Sequence, residues 1–501
     1  MTNPAGRFFW RYRSELILWT GALTLTLFLT ALVVLSMGTI LIVMIFLLFY
    51  GATLAYKREA AIPFMLYYLF LLGDLRRFRD LVYPHPGQDF LLLVSPIAAA
   101  LLGVPLFSKL RVHDRMSKAM LWLTILMVLQ IFNPLQGGLT VGFGGAMFYL
   151  TPVLWFWIGR EYGTPERVRM VLYRVVLPLA TAAAIFGLCQ NFIGFPRYQE
   201  LWFQANREQF AILNLGGGIR SFGFSIAASE YETLLEIGAC AAVAAWFANR
   251  SAWIVSFPFL LTAMVFSAGR GPIVKLIFAL TFAWVARRPQ NLNGTAVVRI
   301  GVLLAVGLVG LSLLGSRLAL STGDIGHAKT ASSAALAHQA EGFSDPLNER
   351  KSTAGVHSQM LLGGLLEGVR MPIGRGLGST TVFAYKFGGA GKDTEVDFGD
   401  MFISLGLPGG LLYLYVMYLA FRYAIDYVRG QRLSTALPVL AILAGGVGTW
   451  LEVAQYSSAV LYMFLMGCLV YPKAKQPEKV GEVHQRKIPI TGRSNWVRLP
   501  S

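Results

Sequence analysis

The feature that most constrains this chain is a succession of about fourteen apolar segments joined by polar connections. Many of them approach the roughly 20 residues that an α-helix needs to cross the hydrocarbon core of a bilayer. Hydrophobic residues make up 55% of the chain and charged residues only 14%, so polar side chains cannot cover its surface in water. The pattern predicts an all-α, polytopic transmembrane helix bundle of about 12–14 spans. We place the segments at 16–36, 39–56, 60–73, 88–107, 119–132, 142–159, 173–193, 229–247, 252–268, 271–286, 298–315, 402–421, 433–449 and 456–471.

Basic residues are unevenly distributed among the connections between these segments. The formal net charge is +17, and alternation of the spans from a cytoplasmic N-terminus puts almost all of the basic excess on the cytoplasmic side. Loops rich in lysine and arginine remain in the cytoplasm of membrane proteins, where they face anionic lipid. We therefore expect both termini in the cytoplasm, membrane lipid as the partner of the basic runs, and no nucleic-acid binding.

The predicted spans divide the chain into six regions. These are N-terminal transmembrane helices, an outer loop, central transmembrane helices, a large periplasmic loop, C-terminal transmembrane helices and a basic cytoplasmic tail. In that order they occupy residues 1–193, 194–228, 229–315, 316–401, 402–471 and 472–501.

The large loop 316–401 contains no segment that could span a bilayer, and loops of this length usually carry function. Residues 356–370 have apolar side chains at helical spacing, which predicts an amphipathic helix that lies on the membrane or covers a cavity. The segment 321–346 is rich in Ala, Ser, Gly and His, and we expect it to be a mobile lid or disordered.

Two arginines on the outer side of the predicted bundle are candidates for binding an anionic substrate. Arg270 lies in the turn Ser267–Gly271, which joins two spans by a very short connection, and Arg220 follows a glycine-rich stretch before another span. A guanidinium there can bind a phosphate through two parallel hydrogen bonds. The alternative for Arg270 is an arginine that reaches out to lipid headgroups.

Carboxylates follow Arg220 at the start of the next span. Ser229 and Glu232 have the spacing of an N-terminal capping box, which makes a helix cap the simplest interpretation of Glu232. Glu236 lies one turn deeper, and a carboxylate inside a span needs a cationic partner. We expect that partner to be Arg220 or Arg270, and we keep Glu236 as a candidate catalytic residue.

Two more arginines flank the predicted amphipathic helix. Arg350 precedes it, and Arg375 lies in the glycine-rich stretch Pro372–Gly378 that follows it. Glycines permit a tight loop whose free backbone N–H groups can form an anion-binding nest. An ordinary Pro/Gly loop is the alternative interpretation.

Candidates for a general base lie in the large loop. Asp397 and Asp400 come directly before the last group of spans, where carboxylates either complement a helix dipole or act as a base at the water–lipid boundary. His357 is the loop histidine best placed for catalysis, because His327 and His338 fall in the segment that we expect to be mobile or disordered.

The sequence has no P-loop, nucleophile elbow, HExxH motif or dinucleotide-binding fingerprint, and its three cysteines lack metal-ligand spacing. We therefore expect neither a metal nor another cofactor.

In their order along the chain, these motifs resemble the O-antigen ligase and polymerase (Wzy-like) family of integral membrane glycosyltransferases. Segments similar to the family pattern are Arg220–Phe224, the turn Ser267–Gly271, Arg350 with Pro372–Gly378, and Gly406–Gly409 in a re-entering span. The likeness covers approximately residues 215–425, and the order of the four motifs around one long outer loop makes it moderately specific.

The resemblance implies an inverting, metal-independent glycosyltransferase of the bacterial inner membrane that acts at the periplasmic face. Its donor and acceptor would be oligosaccharides linked to undecaprenyl diphosphate. The diphosphate would be held by four arginines, which are Arg220, Arg270, Arg350 and Arg375. The proton of the acceptor hydroxyl would pass to Asp397, ahead of Asp400.

One departure from the family pattern favours a particular activity. The ligases usually carry a histidine–asparagine motif just before the re-entering span, where this chain has Val396-Asp397-Phe-Gly-Asp400. We therefore expect a polymerase that joins repeat units into an exopolysaccharide, with a flippase and a chain-length regulator as possible partners. A ligase that transfers the glycan to lipid A core or to protein is the nearest alternative, and a transporter or flippase is a more distant one.

Overall fold

The computed structural model describes residues 38–82, 89–108, 112–205, 214–215, 218–288, 294–322, 330–345, 354–388 and 391–474. The first predicted span at 16–36 lies outside these residues, as do Arg350, His327 and almost all of the predicted basic tail.

The protein is an all-α polytopic bundle, apart from one pair of two-residue strands in which Asn214 lies opposite Ile219. Seven helical segments of the described chain are long and apolar enough to cross a membrane. They are Thr39–Tyr56, Phe90–Phe107, Leu139–Tyr162, Pro165–Phe192, Ala228–Asn249, Val298–Leu318 and Asp397–Gly430. Shorter apolar helices lie at Ala252–Phe266, Gly271–Ala286, Leu433–Gly445 and Tyr456–Tyr471.

The first half of the described chain contains eight helices. They are α1 (Gly38–Tyr56), α2 (Ala61–Val82), α3 (Val94–Phe107), α4 (Arg115–Gln130), α5 (Leu139–Tyr162), α6 (Pro165–Met170), α7 (Leu177–Phe192) and α8 (Arg197–Ala205). A π-helical turn at Val171–Val176 joins α6 to α7. The strands β1 (Asn214–Leu215) and β2 (Gly218–Ile219) follow.

The second half contains the helices that position the candidate site. They are α9 (Ala228–Asn249), α10 (Phe257–Phe266), α11 (Gly271–Ala286), α12 (Gly294–Thr322), α13 (Ala331–Ser344), α14 (Ala354–Arg370), α15 (Val382–Lys386), α16 (Asp397–Gly430), α17 (Leu433–Gly445) and α18 (Tyr456–Ala474).

The boundaries agree with most of the predicted segments and correct two of them. The segment predicted at 60–73 is longer, because α2 continues to Val82 through charged residues that pair with one another. The expectation of disorder over 321–346 is wrong for its central part. There the side chain of Thr330 accepts a hydrogen bond from the backbone N–H of Ser333, and the side chain of Ser333 accepts one from the backbone N–H of Thr330, which forms a capping box at the start of α13.

The tightest helix contact of the bundle joins α5 to α18 through glycines. A side chain at Gly159 would overlap the carbonyl oxygen of Phe464, and one at Gly467 would overlap that of Phe156. Small residues let two membrane helices approach until their backbones touch, which increases van der Waals contact where lipid provides no hydrophobic driving force. The α5–α18 pair therefore forms a rigid seam in the core.

Loops that the alternating topology assigns to one side of the bundle contact one another. On the side that we call the site face, Arg77 donates to the carbonyl of Ser225 at 2.7 Å and Gln130 donates to that of Ile373 at 2.6 Å. On the opposite side, which we call the basic face, Arg167 pairs with Glu59 at 2.6 Å. The two sets of contacts define two faces of the bundle.

The long helix α16 is interrupted at Gly406, where the backbone has φ +70°. The loop after α14 fills the break, and the N–H groups of Arg375 and Gly376 donate to the carbonyls of Ile403 and Ser404 at 2.8 and 3.1 Å. The next two N–H groups of the loop donate to Gln130 and Gln136 of the neighbouring connection. The expected anion nest is therefore wrong, because these donors satisfy carbonyl oxygens of the protein.

Gly374 of this loop combines a left-handed backbone with a close backbone contact, so it tolerates substitution poorly. Its backbone has φ +84°, and a Cβ added to it would lie 2.5 Å from the carbonyl oxygen of Ser404. We expect Gly374→Ala to lower the free energy of unfolding by about 1–3 kcal/mol, because it adds backbone strain and a steric overlap. Thermal unfolding of the purified protein in detergent, followed by tryptophan fluorescence, measures the change.

Gly363→Ala is the matched control for that experiment. Gly363 lies within α14 with open space around it, so alanine there should be neutral or stabilising by up to about 1 kcal/mol. Equal melting temperatures for Gly374→Ala and the unsubstituted protein would contradict the role given to this loop.

Candidate functional site

The turn between α10 and α11 and the segment after β2 meet on the site face. Ala268 adopts a left-handed conformation, with φ +68°, which makes the Ser267–Gly271 connection unusually tight. Arg220 donates from Nε to the carbonyl oxygen of Ser267 at 3.1 Å. Two arginines that are 50 positions apart in the sequence are therefore neighbours in the fold, as the sequence analysis expected.

Arg220 is held by a carboxylate from α9. Its Nη2 lies 2.5 Å from Oε1 of Glu232, and Glu232 is buried while the arginine side chain is about one quarter exposed. Gly269 makes room for this pair, because a Cβ at that position would overlap the Glu232 carboxylate. Glu232 is thus the counter-ion of Arg220, and the capping-box interpretation is wrong because α9 begins after Ala227 with no side-chain cap.

Arg270 faces the helix α13, which lies over the turn. Its Nη2 is 3.2 Å from Nε2 of His338. Gly342, one turn further along α13, leaves space for the guanidinium, since an added Cβ there would overlap Nη1. Gln339 holds the helix in place by donating to the carbonyl oxygen of Gly269 at 3.0 Å.

The imidazole of His338 is neutral in this arrangement. Burial, followed by the nearby charges of Arg270 and Arg220, lowers the pKa of His338 to about 4. A neutral imidazole that accepts a hydrogen bond from Arg270 at Nε2 carries its own proton on Nδ1. His338 therefore offers an unprotonated nitrogen beside two guanidinium groups, which is the state that a proton acceptor requires.

An apolar cleft of about 350 Å³ lies next to this group of residues, between α10, α11, α12 and α13. Helix α13 separates the two, with His338 and Gly342 toward Arg270 and Gln339 and Phe343 toward the cleft. Gln339 is the polar member of an otherwise apolar wall. The full lining is Phe257, Leu261, Val265, Ile273, Leu276, Ile277, Leu280, Leu311, Leu314, Gly315, Leu318, Leu336, Gln339, Ala340 and Phe343.

Helix α12 provides one wall of the cleft, and its opposite surface faces away from the rest of the bundle. Only 6% of the residues in the apolar stretch of this helix are buried. Helix α12 packs against α11 and α13, and its outer surface carries exposed valines and leucines, which include Val298, Val306 and Leu313. The cleft is therefore bounded on one side by a helix whose remaining surface suits contact with lipid.

Asp397 and Asp400 occupy a second polar cluster at the start of α16, and both are fully buried. Asp397 accepts from the Tyr413 hydroxyl at 2.7 Å and from the backbone of Leu451 at 3.2 Å. Asp400 accepts from the backbone and the hydroxyl of Thr394 at 2.9 and 2.8 Å. One oxygen of each carboxylate, Oδ1 of Asp397 and Oδ2 of Asp400, lacks a hydrogen-bond partner in the described structure.

Arg375 and His357 are each paired with a carboxylate in other parts of the site face. Arg375 lies 2.5 Å from Glu367, which Lys392 also contacts at 2.7 Å. The hydrogen bond from Lys392, with a further contribution from Arg375, holds the pKa of Glu367 below its usual range. The half-exposed His357 lies 3.2 Å from Glu395.

Glu236 lies in the helix core, where its carboxylate touches Gly445 at the end of α17. Its Oε2 has no hydrogen-bond partner, and no salt bridge of the described chain reaches it. The expected pairing with Arg220 or Arg270 is therefore wrong, because Glu232 lies one turn nearer the surface and takes Arg220. Lys275, also on the interior side, donates to the Thr449 hydroxyl at 3.3 Å.

Sequence reasoning missed His338 because it treated 321–346 as mobile or disordered. A helix signal was present, since Thr330 and Ser333 bracket the first turn and alanines fill the helix that follows. The described residues contain no cluster of three or more His, Cys, Asp or Glu side chains with metal-binding geometry. Comparison of the chain with models of protein families, with curated proteins and with solved structures gives no match.

The titration of His338 tests the electrostatics of this site. We expect Arg270→Gln to raise the pKa of His338 from about 4 toward the usual 6.5, because the variant removes a positive charge that opposes protonation. NMR of histidine-labelled protein measures this pKa, and the spectrum of His338→Gln assigns the signal. An unchanged pKa in Arg270→Gln would mean that the two side chains do not interact in solution.

Proposed function

We propose that this protein is a membrane glycosyltransferase that joins oligosaccharide repeat units carried on polyprenyl diphosphate. The observation that carries the proposal is the grouping of Arg220, Arg270 and His338 on one side of α13, with an apolar cleft on the other side of that helix. Such a site matches a substrate with an anionic head, a polar glycan and a long apolar tail. The order of family-like motifs along the chain supports the same assignment.

The arginines have the chemistry that the leaving group requires. When the bond between the anomeric carbon and the diphosphate breaks, the electron pair stays on the diphosphate oxygen, and the negative charge there increases. Preorganised cations stabilise that charge in the transition state. Guanidinium groups suit the task because they stay charged and bind phosphate oxygens in a planar fork.

His338 is the general base of the proposed reaction. When Arg270 turns from His338 to the bound diphosphate, Nε2 of His338 becomes free and would take the proton of the acceptor hydroxyl as the acceptor oxygen forms its bond to the anomeric carbon. A bound diphosphate would offset the charges of Arg220 and Arg270, and this raises the pKa of His338 from its low value toward the range in which a base works well. Asp397 was the base expected from sequence position, but its hydrogen bonds to Tyr413 and Leu451 support a structural role.

A ligase that transfers the finished glycan to another acceptor would use the same donor site. The two activities differ in what accumulates when the protein is removed, since loss of a polymerase leaves single lipid-linked repeat units and loss of a ligase leaves lipid-linked polymer. A transporter is the third possibility, and the break in α16 at Gly406 together with the interior Glu236 is the observation that favours it. A transporter would retain function without His338.

Arg270→Ala tests the diphosphate site. We expect at least about a hundredfold loss of polymer formation, as is typical when one preorganised donor to a developing charge is removed, with partial activity in Arg270→Lys. The length distribution of surface polysaccharide in a deletion strain carrying each variant measures the effect, with membrane levels checked by immunoblotting. Arg370→Ala is the matched control, because Arg370 is an exposed arginine of the same face at the end of α14; polymer of normal length in Arg270→Ala would remove this residue from the mechanism.

A comparison of His338→Gln with Asp397→Asn tests the identity of the base. We expect His338→Gln to lose about 10²–10⁴-fold in turnover with an unchanged melting temperature, because glutamine cannot accept the proton. Asp397→Asn keeps an oxygen that accepts from Tyr413, so it should remain active. The reverse result, an active His338→Gln and an inactive, stably folded Asp397→Asn, would return the role to Asp397.

A further inference from the structure

A second cavity lies on the basic face, at the other end of the helices that carry the site described above. Its volume is about 620 Å³, and it is open to the surface. It forms where the π-helical turn between α6 and α7 passes the connection that follows α9. The side chains that the argument uses are Glu166, Arg169, Tyr173, Arg174, Asn249 and Trp253.

The π-helical turn is what places two arginines in one cavity. Arg169 and Arg174 are five positions apart, and in a regular α-helix that spacing separates side chains by about 140° around the axis. In a π-helix the hydrogen bonds run from residue i to i+5 and each turn holds more residues, so side chains five positions apart come closer to one face. The turn at Val171–Val176 therefore brings both guanidinium groups to the same wall.

Neighbouring helices fix the turn in this conformation. The Tyr67 hydroxyl of α2 donates to the carbonyl oxygen of Arg174 at 2.5 Å. The Tyr173 hydroxyl donates to the carbonyl oxygen of Ser434 at the start of α17, at 2.9 Å. Hydrogen bonds with two other helices therefore hold the π-helical turn in place.

The two arginines of the cavity differ from the nearby Arg167 in burial and in pairing. Arg167 is buried and paired with Glu59. Arg169 and Arg174 are exposed, and no salt bridge of the described residues engages either of them. Glu166 is the one carboxylate among the lining residues, so the cavity keeps a net positive charge.

We propose that this cavity binds the phosphodiester headgroup of an anionic phospholipid from the leaflet at the basic face. The cavity lies at the end of the apolar segment Pro165–Phe192, where a lipid headgroup meets the protein. Tyr173 and Trp253 line it, and such rings favour the headgroup level of a bilayer. Basic pockets between membrane helices on the positively charged side are suited to anionic headgroups. The proposal is independent of the glycosyltransferase assignment.

Lipid binding to the purified full chain tests the proposal. Phosphatidylglycerol is titrated into the protein in mild detergent, and bound lipid is counted by native mass spectrometry, with phosphatidylcholine and inorganic phosphate as the comparison probes. We expect selective retention of phosphatidylglycerol and an affinity at least about tenfold lower in the double variant Arg169→Gln/Arg174→Gln. Arg422→Gln, an exposed arginine of the same face outside the cavity, should stay within about twofold of the unsubstituted protein.

Glu166→Gln should increase lipid binding, whereas a folding defect would decrease it. Removing the one carboxylate of the cavity should raise the affinity for phosphatidylglycerol. Equal binding of phosphatidylglycerol and phosphatidylcholine, or no effect of the double variant, would overturn the proposal. Full competition by inorganic phosphate would also overturn it, because the site would then belong to a soluble anion.

Discussion

Charge inside a bundle that is solvated by lipid has to be paired, and this requirement organises the site face of the protein. Arg77 is buried against Asp74 and the ring of Phe222, Arg220 against Glu232, and Arg375 against Glu367. A buried pair of this kind contributes little net stability, but removal of one partner is costly. The pairs of Arg220 and Arg375 therefore fix the connecting segments of the site face against the helices next to them.

Arg270 lies beside an imidazole, and the carboxylate of Glu341 is close enough to interact with its charge. The guanidinium lies beside His338 and fits into the space left by Gly342. Arg220, Arg270 and a neutral imidazole lie together on one side of α13, and an apolar cleft lies on its other side. The proposal of glycosyl transfer from a lipid carrier gives each of these features a role: the arginines stabilise the leaving diphosphate, the imidazole takes a proton, and the cleft receives the tail.

Hydropathy was sufficient to predict the all-α bundle, because each long apolar run has one stable solution in a bilayer, a helix. The proximity of Arg220 and Arg270 follows from their positions in connections that the predicted topology puts on one face. Glu232 and His338 could not be assigned correctly, because a local signal suggested a different role for each: the capping spacing for Glu232, and the Ser- and Gly-rich composition for His338, whose partner Arg270 is 68 positions away. The glycine loop at 372–378 failed as an anion nest for a similar reason: the break at Gly406 that uses its donors is about 30 positions away.

The peripheral position of α12 has a consequence for how a substrate would arrive. This helix packs against α11 and α13 and leaves nearly all of its apolar stretch exposed, so a lipid-linked substrate would reach the cleft behind it from the hydrocarbon of the membrane. A molecule anchored in the bilayer would reach the polar residues above by lateral diffusion, and its tail would never have to cross water. Occupancy of the site would then depend on the concentration of the carrier within the membrane.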